Sequence, residues 1–234
     1  MKLTSEFVGA PLKDYTCTVD ARRTMNYAAA IGDAHPAYFD DERPGGIIAP
    51  PLFPVALTWP ILENITDYLQ ADAFPREVLL TQVHYSEHLS LHRPVTPGMR
   101  LKIQGVIAAI LPHRAGTYVV IRFDARDAEG RQIFTEHLGA MMRGVKCADA
   151  GKGGEKLPSV PSRTNETILR ESRILIDPLA PFIYDGCTNI YFPIHTSVQF
   201  AHQVGLPGII HQGTATLALS VHHLLNQEAD GDSR

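Results

Sequence analysis

The sequence predicts an α+β fold in which a long apolar helix is covered by an antiparallel sheet. Apolar residues between Leu52 and Leu69 recur at helical spacing. The period then changes to two in a series of segments between Val78 and Val145. Proline and glycine at 94–98 and 127–130 supply turns between these segments. Consecutive strands behind a helix are typical of the α+β class.

Each element has a local reason. Asp20 is a suitable N-cap for a first helix that runs to Ile31, and Pro36 ends this region because the residue before proline avoids helical geometry. In the second helix, Pro54 fits the first turn, whereas Pro60 predicts a kink. Strands are expected at 78–91, 99–111, 116–125 and 133–145.

Composition excludes several classes of function. Lys and Arg number 21 against 25 Asp and Glu, a net charge of −4, so a nucleic-acid partner is not expected. No apolar run approaches the ~18 residues of a membrane helix, and residues 1–13 lack the apolar core of a signal peptide. Three widely spaced cysteines, Cys17, Cys147 and Cys187, predict reduced thiols in a cytoplasmic protein without a membrane partner.

The chain divides into two unequal parts. Residues 148–165 are rich in Gly, Pro, Ser and charge and lack apolar periodicity, so they are predicted to be a linker. The linker separates an N-terminal domain, 1–147, from a shorter C-terminal domain, 166–234.

The two parts contain matching segments. When Pro36 is aligned with Pro193, the run Gly46-Ile-Ile has a counterpart in Gly208-Ile-Ile further along the chain. Each run leads into a helical apolar stretch. Two short matches in the same order predict a duplicated unit.

These segments carry a family resemblance. IGDAHPAYFDD (31–41) and GGIIAPPLFP (45–54) resemble the N-terminal repeat of double-hotdog dehydratases, and PIHT (193–196) and GLPGIIHQGTATL (205–217) resemble the MaoC-like, R-specific enoyl-CoA hydratase motif. The resemblance implies a tandem hotdog fold, in which curled antiparallel sheet wraps a long central helix in each half. It also implies an acyl thioester of coenzyme A or acyl carrier protein as substrate, with no prosthetic cofactor.

Hydration of an enoyl thioester needs a base that activates water and a donor that holds the thioester oxygen. Gly213 opens the second long helix, where a free amide can point at an oxygen, whereas its counterpart Pro51 has no N–H. His195 is suited to base chemistry near neutral pH, whereas its counterpart Tyr38 is not. The resemblance likewise matches His195 to the family's catalytic histidine and Gly213 to its oxyanion donor.

The acidic partner of the histidine is missing. The family has an acidic or amide residue five positions before it, where this chain has Ile190, and position 192 is Phe192 instead of the frequent asparagine. Asn189 could replace the acid if the backbone shifts, so it is a third catalytic candidate. The first half keeps Asp33 but lacks the histidine. Three interpretations stay open: one histidine performs both proton transfers, the chemistry differs, or the protein binds acyl groups without turnover.

Other candidates have weaker support. Motif neighbours and one residue of the first half are candidate substrate-binding positions: Pro193, Ile194, Gln212, Thr214 and Tyr38, the last with simple packing as an alternative. His84, His88 and His92 lie in an expected strand, where they share one face but are ~13 Å apart at four-residue spacing, so no metal site is predicted. The cysteines have no neighbouring residue in the sequence that could act as a base, so a cysteine nucleophile is not predicted.

The second hotdog is expected to be incomplete. After the helix that begins at Thr214, only a short polar segment follows, and the helix's apolar face lacks most of its covering strands. The chain is then a piece of a longer protein, or the same or another chain completes the sheet in an oligomer, or this half is a degenerate interaction surface.

The leading functional prediction is a lyase that adds water to, or removes it from, the β-carbon of an enoyl-CoA or 3-hydroxyacyl-CoA type thioester. The alternative is a non-catalytic acyl-thioester-binding or scaffolding subunit. A hotdog thioesterase ranks third, since no residue pattern directs water at the carbonyl.

Overall fold

The computed structural model describes residues 1–159 and 171–228. The helices are α1 (Ala21–Ala30), α2 (Phe53–Glu63), α3 (Ile65–Tyr68), α4 (Ala180–Thr188), α5 (Val198–Gln203) and α6 (Gly213–Glu228). The strands are β1 (Lys2–Leu3), β2 (Tyr15–Thr18), β3 (Gln82–Leu91), β4 (Arg100–His113), β5 (Gly116–Arg126), β6 (Gln132–Arg143), β7 (Lys146–Cys147) and β8 (Lys152–Gly153). Short 3-10 turns occur at Ser5–Phe7, Pro36–Tyr38, Arg76–Thr81 and Pro193–His195.

The main sheet is antiparallel, with the strand order β2-β4-β5-β6-β3 and β8 added on β4. Helix α2 belongs to the same apolar core as the sheet, and side chains of both are almost fully buried there, including Phe53, Leu57, Ile103 and Phe123. An apolar helix covered by one face of an antiparallel sheet confirms the predicted α+β class and the hotdog arrangement of the first half.

The helices begin where the sequence predicts, but the second one ends early. The Asp20 carboxylate accepts a hydrogen bond from the backbone N–H of Arg23, as expected of an N-cap. The apolar stretch to Leu69 forms α2 and α3 rather than one kinked helix, which corrects the prediction. Asn64 has non-helical backbone angles (φ −112°, ψ 33°), and its side chain donates to the carbonyl of Pro60.

The strands agree with the sequence pattern apart from one end. The expected strand at 78–91 begins only at Gln82, because the residues before it form the 3-10 turn Arg76–Thr81. The hydroxyl of Thr81 donates to the carbonyl of Val78, which stabilises this turn. The alternating pattern therefore placed the start of this strand four residues too early.

The second half contributes helices to the first. Helix α4 packs on α1, where the buried hydroxyl groups of Tyr27 and Tyr184 lie 3.3 Å apart. In the predicted linker, β8 pairs with β4, and Glu155 binds Arg122 and His137. Positions 160–170, which include the rest of the linker, and 229–234 lie outside the described residues. The domain boundaries therefore stay a prediction.

The described part of the second half, 171–228, contains no β-strand. Of the helices the structure describes, none is long and apolar enough to cross a bilayer.

The tight turn between β4 and β5 provides a test of the fold. Gly116 has a φ of 154°, and a Cβ there would overlap the backbone carbonyl of Met142, which cannot move aside like a side chain. Gly130 also has positive φ, 78°, but a Cβ there meets no atom within 4 Å. We expect Gly116→Ala to lower the free energy of unfolding by roughly 2 kcal/mol and Gly130→Ala by roughly 1 kcal/mol in urea titrations. Equal losses would contradict this account of the turn.

Candidate active site

A cavity of about 380 Å³ lies between the first domain and two loops of the second half. This volume lies in the range of small-molecule sites. Its walls are largely apolar, with side chains of α2 and β6 on one side and the loops before α5 and α6 on the other: Trp59, Leu62, Leu138, Ala140, Tyr191, Phe192, Pro193, Ile194 and Ile210. The polar groups that line it include His84, His195, His211 and the first residue of α6, Gly213.

His195 is held in a defined tautomer. Pro193 opens the 3-10 turn that carries the histidine, and the ring Nδ1 lies 2.8 Å from the backbone carbonyl of Ile210. Because a carbonyl can only accept, Nδ1 carries the proton and Nε2 has the free lone pair. Burial lowers the pKa of His195 from its usual 6.5, an effect only partly offset by this hydrogen bond. At neutral pH the ring is therefore an uncharged base.

The position of Gly213 leaves its backbone amide available to a ligand. Gly213 is the first residue of α6 and lines the same cavity as His195. Amides of the first helical turn have no partner within the helix and lie at the positive end of its dipole. An N–H in this position can hold an oxygen that gains negative charge.

The structure brings only some of the predicted substrate-binding residues to the cavity. Pro193 and Ile194 line it. Gln212 and Thr214 flank Gly213 but are buried behind the wall, and the amide of Gln212 donates to a backbone carbonyl of α4 at 2.8 Å. Tyr38 is buried in a separate small cluster beside α1. Gln212 therefore supports the loop rather than contacting the cavity.

No acid reaches His195 from the position that the motif predicts. Ile190 is only 2% exposed and belongs to the apolar core. Asn189 is exposed, has a left-handed φ of 58° where α4 ends, and does not line the cavity. Asp33 of the first half is bound elsewhere, because its carboxylate lies 2.7 Å from Nδ1 of His222 on α6.

The prediction that His84, His88 and His92 share one face is wrong. The pairing of β3 with β6 shifts register between His84 and Ser86, a β-bulge. A bulge adds one residue and reverses the facing of those before it. His84 consequently lines the cavity, whereas His88 and His92 are exposed.

Two buried carboxyl groups stand behind His84, and sequence reasoning missed both. Glu87 Oε2 lies 3.1 Å from His84 Nε2, and burial raises the pKa of Glu87 to about 8. Burial raises the pKa of Glu136 well above its usual value, and ionisation of the neighbouring Glu87 would raise it further. The available signal was Glu136 itself, which alternates with Phe134 and Leu138 on the buried face of β6.

His211 is a further cavity residue that the sequence pattern did not single out. Burial lowers its pKa, and the nearby His195 lowers it further. At neutral pH this imidazole therefore adds no positive charge beside the base.

Comparison with known proteins agrees with this architecture. A family profile described as FAS1-like, dehydratase domain region, matches residues 6–136, more than half of the chain. A UPF0336 protein of Streptomyces griseus is 31% identical over 143 residues, which are 58% of this chain and 91% of that protein. The mouse peroxisomal multifunctional enzyme type 2 is 29% identical over 154 residues, which are 64% of this chain but only 20% of the mouse enzyme.

Solved structures share the fold at low sequence identity. A MaoC-like dehydratase from Phytophthora capsici superposes with a TM-score of 0.78 at 22% identity, over 97% of this chain and 78% of that one. The full-length peroxisomal multifunctional enzyme type 2 of Drosophila melanogaster gives a TM-score of 0.66 at 18% identity, over 95% of this chain and 38% of that one. The chain belongs to the FAS1-like dehydratase-domain family and has the MaoC-like hotdog fold.

Proposed function

We propose that this protein adds water to, or removes it from, the β-carbon of an acyl thioester, with His195 as acid/base and the Gly213 amide as oxyanion donor. The observation that carries the proposal is the hydrogen bond from His195 Nδ1–H to the carbonyl of Ile210. It leaves Nε2 as a neutral base in the cavity that Gly213 also lines.

The chemistry needs no other ionisable group. In hydration, the water oxygen bonds to C3 while His195 Nε2 takes the water proton, and the C2=C3 electron pair moves toward C2 and the thioester oxygen. The Gly213 N–H holds that oxygen as it gains charge. The proton on His195 then passes to C2, which restores the neutral base. Dehydration follows the same steps in reverse, so one histidine can serve both transfers.

The apolar wall supports an acyl substrate. Trp59 and Leu62 of α2 and Leu138 of β6 give the cavity a lining that favours a hydrocarbon chain over a sugar or nucleotide. Exposed apolar side chains of the second half, among them Leu179, Phe182 and Val198, fit the further proposal that the same or another chain covers this half in an oligomer.

A second candidate is an acyl-thioester-binding subunit without turnover. The buried Ile190 at the position of the acidic partner favours it. The two functions differ in one measurement, the loss of enoyl-thioester absorbance when the protein is mixed with crotonyl-CoA and longer or branched enoyl-CoAs. Loss of absorbance with formation of the 3-hydroxyacyl-CoA supports the lyase. Binding by calorimetry with no loss supports the subunit.

The Gly213 amide can be removed selectively. Proline is tolerated at the first position of a helix but has no N–H, whereas alanine keeps the amide. A Cβ at Gly213 would meet only His84 Nδ1, at an ordinary 3.5 Å. We expect Gly213→Pro to lower kcat by about 10²-fold and Gly213→Ala to lower it far less. Equal activity of the two variants in the hydration assay would remove the amide from the mechanism.

A further inference from the structure

The His84 side chain lies beside Gly213 in the cavity. It lines the cavity, and its Nδ1 is the atom that a Cβ on Gly213 would approach, at 3.5 Å. The β-bulge after His84 gives the ring this direction. The imidazole therefore lies beside the amide to which we assign the thioester oxygen.

The opposite ring nitrogen is fixed by Glu87. In a regular strand, residues three apart point to opposite faces, but the bulge places both side chains on the same side. His84 Nε2 lies 3.1 Å from the Glu87 carboxyl group, whose side chain is only 2% exposed. Nε2 is therefore engaged by Glu87, and Nδ1 is the ring nitrogen that lies toward Gly213.

The protonation states of Glu87 and His84 determine whether Nδ1 donates or accepts a hydrogen bond. Burial raises the pKa of Glu87 to about 8, a rise that the neighbouring Glu136 partly offsets, so the Glu87 carboxyl group is protonated at pH 7. Burial lowers the pKa of His84, against smaller opposing effects of Glu136 and the Ser86 backbone. These two shifts favour a neutral pair, in which the Glu87 O–H donates to Nε2 across the 3.1 Å contact. In that arrangement the single imidazole proton sits on Nδ1, the nitrogen toward Gly213.

We infer that His84 is a second catalytic residue of this cavity, whose Nδ1–H donates to the thioester oxygen beside the Gly213 amide, with Glu87 as the positioning residue that fixes the tautomer. This inference rests on the proposed function and deepens it. His84 transfers no proton; it stabilises charge on the oxygen while His195 carries the proton of water. Two donors from opposite halves of the chain form one oxyanion site.

The test compares His84→Ala with His88→Ala, which removes an exposed imidazole from the same strand. For crotonyl-CoA hydration we expect His84→Ala to lower kcat by about 10²-fold with little change in KM, and His88→Ala to match wild type. Wild-type kcat in His84→Ala overturns the inference and leaves the proposed function intact.

Glu87 variants keep the test valid if His84→Ala does not fold. E87Q retains an N–H that can donate to Nε2, whereas E87M does not, so we expect kcat of E87M to fall about tenfold below that of E87Q. Wild-type kcat should decline above pH 8, where ionised Glu87 pulls the proton to Nε2, and E87Q should lack this decline. His84, Glu136 and Tyr27 are the titratable groups that interact with Glu87. Equal kcat of E87Q and E87M, with unchanged pH profiles, overturns the assignment.

A binding measurement separates the two proposals. p-Dimethylaminocinnamoyl-CoA absorbs at longer wavelength as its thioester oxygen is hydrogen-bonded, so it reports the donors without turnover. If wild type hydrates no substrate, the proposed function fails, and a red shift present in His195→Ala but reduced in His84→Ala still supports the donor role of His84. The same shift in both variants overturns that role.

Discussion

His195→Ala is expected to lower kcat for enoyl-CoA hydration by about 10³-fold or more, the largest effect of any single substitution in this cavity. The variant loses the only base that the mechanism uses, whereas the Gly213 amide and the apolar wall remain. KM should change little, because the imidazole acts on water rather than on the acyl chain. The measurement is steady-state hydration of crotonyl-CoA, with circular dichroism to verify folding.

His202→Ala is a matched control. His202 lies on α5, is exposed, and its ring also contacts a backbone carbonyl, that of Pro207 at 3.3 Å. It does not line the cavity, so its removal should leave kcat unchanged. A His195→Ala variant that hydrates as fast as His202→Ala would exclude His195 as the base.

The dependence of hydration activity on pH provides a second test of His195 as the base. The neutral form of His195 is the active base, and burial lowers its pKa below 6.5. Activity should therefore persist below pH 6.5 and fall only at more acidic pH, as the ring gains a proton.

The positions of His195 and Gly213 could be predicted because both depend on local features. A proline-led turn and a glycine at a helix start are written in consecutive residues. The repeat then indicated which half carries the candidate base and the candidate amide donor, since Tyr38 and Pro51 cannot replace them. The ends of the four expected strands were also predictable to within about four residues.

The place of His84 in the cavity could not be predicted from the sequence, because the direction of its side chain depends on a β-bulge. Strict alternation groups it with His88, and one extra residue in β3 reverses that grouping. The pairing of Asp33 with His222 joins residues far apart in the chain, so no spacing indicates it. Tertiary contacts, not local pattern, decide which polar residues meet at this cavity.

The free energy of unfolding is expected to fall between pH 6.5 and 8. Glu87 and Glu136 keep their protons in the folded state at pH values where the unfolded chain has lost them, because burial raises both pKa values. The folded state then binds more protons than the unfolded state, so the free energy of unfolding falls as pH rises from the ordinary glutamate pKa of 4.5 toward the raised values. His84, His195 and His211 act in the opposite direction, since their lowered pKa values favour folding as pH rises, but only up to about 6.5.

Above pH 6.5 the two glutamates therefore dominate. A carboxyl group whose pKa is raised to about 8, as that of Glu87 is, contributes up to about 1.4 kcal/mol per pH unit, so we expect Glu87 alone to cause a loss of roughly 2 kcal/mol from pH 6.5 to 8 in urea titrations. E87Q removes this titration and should make the loss clearly smaller than in wild type, with higher stability than wild type at pH 8. E77Q, which changes an exposed glutamate in the turn before β3, should reproduce the wild-type curve. A wild-type curve that is flat over this interval would mean that both carboxyl groups are ionised in the folded state, and Glu87 could not then donate to His84.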